Sequence, residues 1–228
     1  MGIGRSAIGI SRTRDFRNWS QPNLVLFPDN QDPLDMSFYG SNYFSYPGRK
    51  DLHCMFLDIY HQITDHVDVQ IAFSHDGLMW NRPERRPIIP VGSSDSGEGG
   101  MVYTVQGGLV QLPDGYWAAA YYGMSQLHNI SQKAFSKGLK WPQPGQIRWA
   151  RWQPHRFCGI EANNEGRFTI PTIYRTQKKL HLNYRCAPGG WVQAELLNNS
   201  PSRLHPDAYG LNGFTFEECD RLTGDSLD

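Results

Sequence analysis

Apolar and polar positions alternate along this chain in short stretches separated by turn residues. Val67-Asp-Val-Gln-Ile-Ala-Phe73 has the period of two expected of a half-buried strand. Upstream, Phe38-Tyr-Gly-Ser-Asn-Tyr-Phe-Ser-Tyr46 and the apolar run Leu52-His-Cys-Met-Phe-Leu-Asp-Ile-Tyr60 flank the turn Pro47-Gly48. The same order returns downstream. Met101-Val-Tyr-Thr-Val-Gln-Gly-Gly-Leu-Val-Gln111 leads through the turn Pro113-Asp-Gly115 to Tyr116-Trp-Ala-Ala-Ala-Tyr-Tyr122, and Gln146-Ile-Arg-Trp-Ala-Arg-Trp152 follows. Each run has the length of a strand, and the punctuation is that of hairpins.

The runs are ordered by a repeat. Trp19, Trp80 and Trp141 are spaced 61 residues apart (80 − 19 and 141 − 80). They close the similar phrases Ser11-Arg-Thr-Arg-Asp-Phe-Arg-Asn-Trp19, Phe73-Ser-His-Asp-Gly-Leu-Met-Trp80 and Phe135-Ser-Lys-Gly-Leu-Lys-Trp141. A fixed period of this length marks a repeat architecture, with room for about four short strands per unit, the size of a propeller blade. The three tryptophans are expected at equivalent, mostly buried positions between blades, each indole N–H bonded to a nearby carbonyl. Asp15 and Asp76, in the turns of these phrases, are expected to accept hydrogen bonds from turn N–H groups, a structural task.

From about Pro154 the pattern changes. Arg167-Phe-Thr-Ile-Pro-Thr-Ile173, Lys179-Leu-His-Leu-Asn-Tyr184 and Gly190-Trp-Val-Gln-Ala-Glu-Leu-Leu197 alternate strictly, predicting a small antiparallel sandwich. The expected fold is therefore all-β: a partial five-bladed β-propeller at residues 1–157, then an incomplete β-sandwich at 158–228.

Composition agrees with that reading. Aromatics make up 13% of the 228 residues, with 23 Gly and 15 Pro, which suits many short strands and turns. The 22 Lys+Arg against 22 Asp+Glu leave no net charge and no long run of one sign, so nucleic acid and membrane are not expected partners. No stretch approaches the roughly 18 apolar residues of a membrane helix, and Met1-Gly-Ile-Gly-Arg5 lacks the pattern of a secretory signal, which leaves the compartment open. Cys54, Cys158, Cys186 and Cys219 have neither zinc-site spacing nor the density of a disulfide scaffold, so buried free thiols are expected, with no metal and no cofactor.

At Phe73-Ser-His-Asp-Gly-Leu-Met-Trp80-Asn-Arg-Pro83, and from Ile88-Ile-Pro-Val-Gly92 through Met101-Val-Tyr103, the chain resembles the five-bladed β-propeller glycosidases related to glycoside hydrolase families 32 and 43. It is most similar to a propeller-plus-sandwich group among them, for which Leu180-His-Leu-Asn183 and the stretch from Gly213-Phe214 to Gly224-Asp225 belong to the sandwich. The resemblance implies that about two blades precede residue 1 and that closing strands follow residue 228. It also implies hydrolysis of a glycosidic bond by carboxylates at one mouth of the propeller, a pair about 5–5.5 Å apart for retention or about 6.5–9.5 Å for inversion.

Counting from Gly92 to Met101 sets Glu98 where the relatives' acid stands, although Gly97 and Gly99 replace its aromatic and polar neighbours. At the other inner strand Ser37 stands in place of an acid just before Phe38-Tyr39, and Asp35 lies two residues earlier, on the same face of an extended chain. Glu98 and Asp35 are thus the candidate catalytic residues, with Asp35 otherwise a turn-capping residue and Glu98 a solvated loop carboxylate. Tyr39, Tyr103, His61 and His128 are the candidate substrate-binding residues, the two histidines being placed at equivalent ends of equivalent strands; His53 is assigned to local packing. The implied partner is a carbohydrate substrate. The altered acid motifs keep open a non-catalytic carbohydrate-binding propeller, or an inactive fragment of a longer enzyme.

Overall fold

The structure is a computed structural model that describes residues 4–105, 107–129, 137, 145–170, 179–199 and 207–227. The chain is all-β and divides into two compact units, Met1–Cys158 and Gly159–Asp228.

Among its described residues the first unit holds nine strands: β1 (Ile8–Ile10), β2 (Asn23–Leu26), β3 (Met36–Ser45), β4 (His53–His61), β5 (His66–Ser74), β6 (Met101–Thr104), β7 (Val110–Gln111), β8 (Trp117–Met124) and β9 (Gln146–Trp152). Strands β3, β4 and β5 form a continuous antiparallel meander, as the apolar runs and turns predict. Strands β6 and β7 both pair with β8, which pairs on its other side with β9. A single parallel contact between Val67 and Met101 joins the two groups, while β1 and β2 form a separate ribbon. None of these sheets closes into a barrel.

Strand β4 is buried on both faces, and the alternation of its side chains decides what lies where. Cys54 and Phe56 point into one core with Val69, Ile71, Val102, Ala119 and Tyr121. Met55, Leu57 and Ile59 point the other way, into a core with Leu26, Met36, Phe38 and Ala72. That explains why Leu52–Tyr60 reads as a continuous apolar run rather than an alternating one. The strand separates two packed layers.

The 61-residue period is a structural repeat in the first two phrases. Thr13 Oγ1 accepts the N–H groups of Asp15 and Phe16, and Asp15 Oδ1 accepts those of Arg17 and Asn18. In the second turn Ser74 Oγ accepts from Asp76 and Gly77, and Asp76 Oδ1 accepts from Leu78 and Met79. Both aspartates therefore do the structural task assigned to them.

The tryptophans do not share one environment. Trp80 packs beside the Met55/Leu57 core, with its indole N–H on Gly77 O at 3.1 Å, inside its own turn. Trp19 is 55% exposed, at the tip of the β1–β2 ribbon beyond the Ile8 and Leu26 that pack on the core, with Phe16 as its ring neighbour. Trp141 lies outside the described residues.

Among its described residues, the second unit does not form the predicted sandwich. Its only ladder among the described residues joins β10 (Tyr184–Arg185) to β11 (Asp225–Ser226), with isolated bridges at Val192–Leu222 and Leu197–Gly210. Phe168, Ile170, Leu180 and Trp191 stay exposed, and no described residue of the unit is fully buried. Alternation specifies a strand only when a second layer covers its apolar face. The predicted strand at Arg167–Ile173 lies partly outside the described residues.

Candidate functional site

The structure brings three of the candidate binding residues together, with one tyrosine that sequence reading did not single out. Antiparallel pairing places Ser37 opposite Tyr60 and Phe38 opposite Ile59, then skips Tyr39 and resumes with Gly40 opposite Asp58. Tyr39 is thus the extra residue of a β-bulge, a device that turns a side chain off the regular alternation. Its ring lies 5.8 Å from that of Tyr60 and 6.1 Å from that of Tyr103. The His128 ring lies 4.9 Å from Tyr39 and 4.8 Å from Tyr60, and His128 Nε2 is 2.9 Å from the Tyr39 hydroxyl.

A polar frame fixes the cluster. Asp65, in the turn after β4, accepts the Tyr60 hydroxyl at 2.8 Å and the Asn129 backbone N–H at 2.7 Å. Its own carbonyl accepts the His128 N–H at 3.0 Å, and the Asn129 amide donates to both Tyr60 and Asp65. Two loops are therefore pinned to each other at the ends of β4 and β8. Burial pushes the Tyr103 and Tyr60 hydroxyls above the ordinary tyrosine range, so both keep their protons at neutral pH and can donate. Tyr39 is 48% exposed, which leaves one side of the group open to solvent. His128 is 9% exposed, and its buried Nδ1 has no hydrogen-bond partner among the described residues.

Behind the tyrosines sits a carboxylate. Asp58 is 5% exposed and accepts hydrogen bonds from Thr104 N–H and Oγ1 at 3.2 and 3.1 Å. Burial raises its pKa to about 6 against the opposing pull of those two bonds. Gly40 is required here, since a Cβ at that position would run into the Asp58 carboxylate.

His61 and Asp35 form a second group. His61 Nε2 is 2.8 Å from Asp68 Oδ2, and that hydrogen bond raises the imidazole pKa against the opposing effect of burial; the charge of Asp35 adds to the rise. Asp35 lies just before β3, where its carbonyl accepts Gln62 N–H and its Oδ2 accepts Ile63 N–H at 3.3 Å. Cross-strand pairing of His61 with Met36, and of Tyr60 with Ser37, puts the His61 pair on the opposite sheet face from Tyr60. Ser37, at the position of an acid in the resembling enzymes, has its Oγ bonded to Ser6 N–H and to the Gln62 amide.

Glu98 stands in a third group. Its Oε2 accepts the Tyr121 hydroxyl at 2.8 Å, and its Oε1 lies 3.2 Å from Arg148 Nη1. The side chain rests where a Cβ on Gly123 would project. Gly123 pairs with Val102, and Tyr122 with Tyr103, so Glu98 lies against the sheet face opposite to Tyr103. None of its bonded partners is Asp35, His61 or His128. His53, expected in local packing, has its Nδ1 2.7 Å from the Tyr43 hydroxyl.

Tyr60, Asp65 and Asn129 are the residues that sequence reading missed. Tyr60 was visible as the last residue of an apolar run, but its neighbours across the site come from turns with no pattern of their own. The tyrosine group is an open surface. A separate cleft of about 350 Å³, lined by Ile71, Glu84, Arg86, Pro87, Ile88 and Phe157, shares no residue with it. No group of three or more His, Cys, Asp or Glu suited to a metal ion occurs among the described residues. The chain matches no protein-family model, no curated protein and no solved structure.

Proposed function

We propose that the protein binds carbohydrate at the Tyr39, Tyr60, Tyr103 and His128 cluster, on a scaffold that is an arc of a β-propeller. The propeller reading rests on a repeated step. Phe38 N–H bonds Ser6 O just ahead of β1, and Val67 in β5 contacts Met101 in β6, so each strand that enters a Thr/Ser-x-Asp turn meets the first strand of the next group.

The observation that carries the binding reading is the bulge at Tyr39. It directs an exposed aromatic toward two more tyrosines and a histidine, giving apolar ring surface for the C–H faces of a sugar beside hydroxyl and amide groups for its hydroxyls. Binding without hydrolysis is the reading this geometry favours, because Glu98 is engaged by Arg148 and Tyr121 on the other face of its sheet. Hydrolysis is the second reading. It is supported by Asp35 beside the His61–Asp68 pair, a group able to hold and pass a proton.

A glycan array, followed by titration calorimetry on the best ligand, tests the proposal, with aryl glycosides assayed in parallel for release of the aglycone. Tyr39→Ala is expected to weaken glycan binding about tenfold or more. Binding that survives Tyr39→Ala unchanged would remove the cluster from the site, and aglycone release lost in Asp35→Asn would favour hydrolysis.

A further inference from the structure

The tip of the ribbon between β1 and β2 carries a feature that folding does not explain. Phe16 is 83% exposed and its backbone is in the left-handed region, φ 57°, where the matching turn has Gly77 at φ 71°. A bulky residue there is strained, and its ring gains no burial in return. Trp19, 55% exposed, meets Phe16 edge to face at 6.0 Å, so the two rings form one exposed aromatic surface.

Around it stand Arg12, Arg14 and Arg17, all exposed, and none has a side-chain partner among the described residues. The matching turn has Phe73, His75 and Leu78 at these positions, so the cations belong to this turn and not to the repeat. Asp15, the single acid of the tip, is committed to the Asn18 and Arg17 N–H groups, which hold its pKa below the ordinary carboxylate range. Arg12 and Arg14 line an open cleft of about 520 Å³ with Thr13, Asp15 and Asn18.

The geometry points to this tip as a second binding site, for an anionic glycan bearing sulfate groups. Planar guanidinium groups suit the oxyanions, and the Phe16–Trp19 surface suits the sugar rings between them. Three arginines on a chain of zero net charge make a local contact, short of the extended basic surface that a nucleic acid or an anionic bilayer requires. The choice of a glycan among polyanions rests on the carbohydrate reading above. The site itself is separate from the tyrosine cluster.

The test is titration of the full chain with chondroitin sulfate and with its chemically desulfated form, with single-stranded DNA of matched charge and anionic vesicles as competitors. The sulfated chain is expected to bind, more tightly at lower salt, with binding weakened about tenfold or more by joint replacement of Arg12, Arg14 and Arg17 with Gln. Phe16→Gly is expected to weaken binding without lowering the unfolding midpoint, which separates recognition from stability. Tyr39→Ala is expected to leave sulfated-glycan binding intact, so failure at one site is distinguishable from failure at the other. Equal binding of the desulfated form, no binding, an unchanged triple variant, or preference for DNA or vesicles would overturn the assignment.

Discussion

Phe16 and Gly77 occupy the same position of two turns 61 residues apart, both in the left-handed region at φ 57° and 71°. The turn chemistry on either side is conserved between them in kind: a hydroxyl two residues before the aspartate, and the aspartate itself, each accept two consecutive N–H groups. The backbone is dictated by the Thr/Ser-x-Asp pattern, and the residue in the left-handed position either fits it freely or bears the strain. A Cβ at Gly77 would meet nothing within 4 Å, so substitution there costs backbone conformation alone. Gly77→Ala is expected to destabilise by about 1–2 kcal/mol. Phe16→Gly is expected to stabilise by up to about 1 kcal/mol, part of the relief being offset by the added freedom of the unfolded chain. Urea unfolding of both variants checks this, and a loss of stability in Phe16→Gly would show that the ring contributes to folding.

Asp58 gives the fold a pH dependence of definite sign. Its folded pKa of about 6 stands above the ordinary carboxylate value of 3.8, so between these values the folded state holds a proton that the unfolded chain has released. Stability is therefore expected to fall as pH rises from about 4 to about 6, and then to level off as far as this group is concerned. Asp58→Asn keeps an oxygen for the Thr104 N–H and hydroxyl while removing the buried charge. It is expected to abolish that slope and to raise stability at pH 7 by up to about 3 kcal/mol, the equivalent of two pKa units. Thermal unfolding across pH 4–8 reads both effects. An unchanged slope would place the pH dependence elsewhere.

The His61–Asp68 pair works in the same direction, in a window above pH 6.5. The hydrogen bond to Asp68 raises the folded pKa of His61 above its ordinary 6.5, so the stability contributed by its proton is fully present below that value and is lost as pH rises through the folded pKa. In Asp68→Asn the imidazole is expected to titrate at lower pH and this component to disappear. Proton–carbon NMR titration of the His61 ring measures the shift, and an unmoved titration curve would mean that Asp68 does not hold the proton.

Strands β3, β4, β5, β6, β8 and β9 were legible because their runs alternate, like β5, or are bounded by Pro/Gly turns, like β3 and β4, whereas the short β1 and β2 were not read from the sequence. The Ser-x-Asp turns were legible because their chemistry is local. What sequence could not show is register. Nothing in Phe38-Tyr39-Gly40 marks Tyr39 as the residue left out of the ladder, and that one-residue slip puts it on the side of Tyr60 and Tyr103. Counting also placed Glu98 ahead of an inner strand without telling which face it takes, and Gly123, by leaving space, receives it on the side away from Tyr103. The second unit shows a related limit: Phe168, Ile170 and Leu180 have the pattern of strands, but among the described residues no covering layer buries them.

Glu98 is where the two functional readings separate most sharply. Its side chain is 14% exposed and Arg148 is 31% exposed, so the ion pair at 3.2 Å is partly withdrawn from water, and Tyr121 adds a hydrogen bond at 2.8 Å. Glu98→Gln keeps the shape and the Tyr121 bond but leaves Arg148 without its carboxylate. If the residue ties β8 and β9 to the loop before β6, this change is expected to cost about 1–3 kcal/mol of stability. Glycan affinity should stay within about twofold, because the tyrosine cluster lies on the other sheet face. Arg148→Met should reproduce the stability loss, and the double variant should cost less than the sum of the two, as expected of residues in direct contact. A general acid would behave otherwise: aglycone release would fall by about 10²–10⁴ in Glu98→Gln with stability and affinity preserved, and Arg148→Met would not mimic it. Measuring unfolding midpoint, glycan affinity and aglycone release on these three variants decides between an ion pair that holds the sheet and a carboxylate that does chemistry.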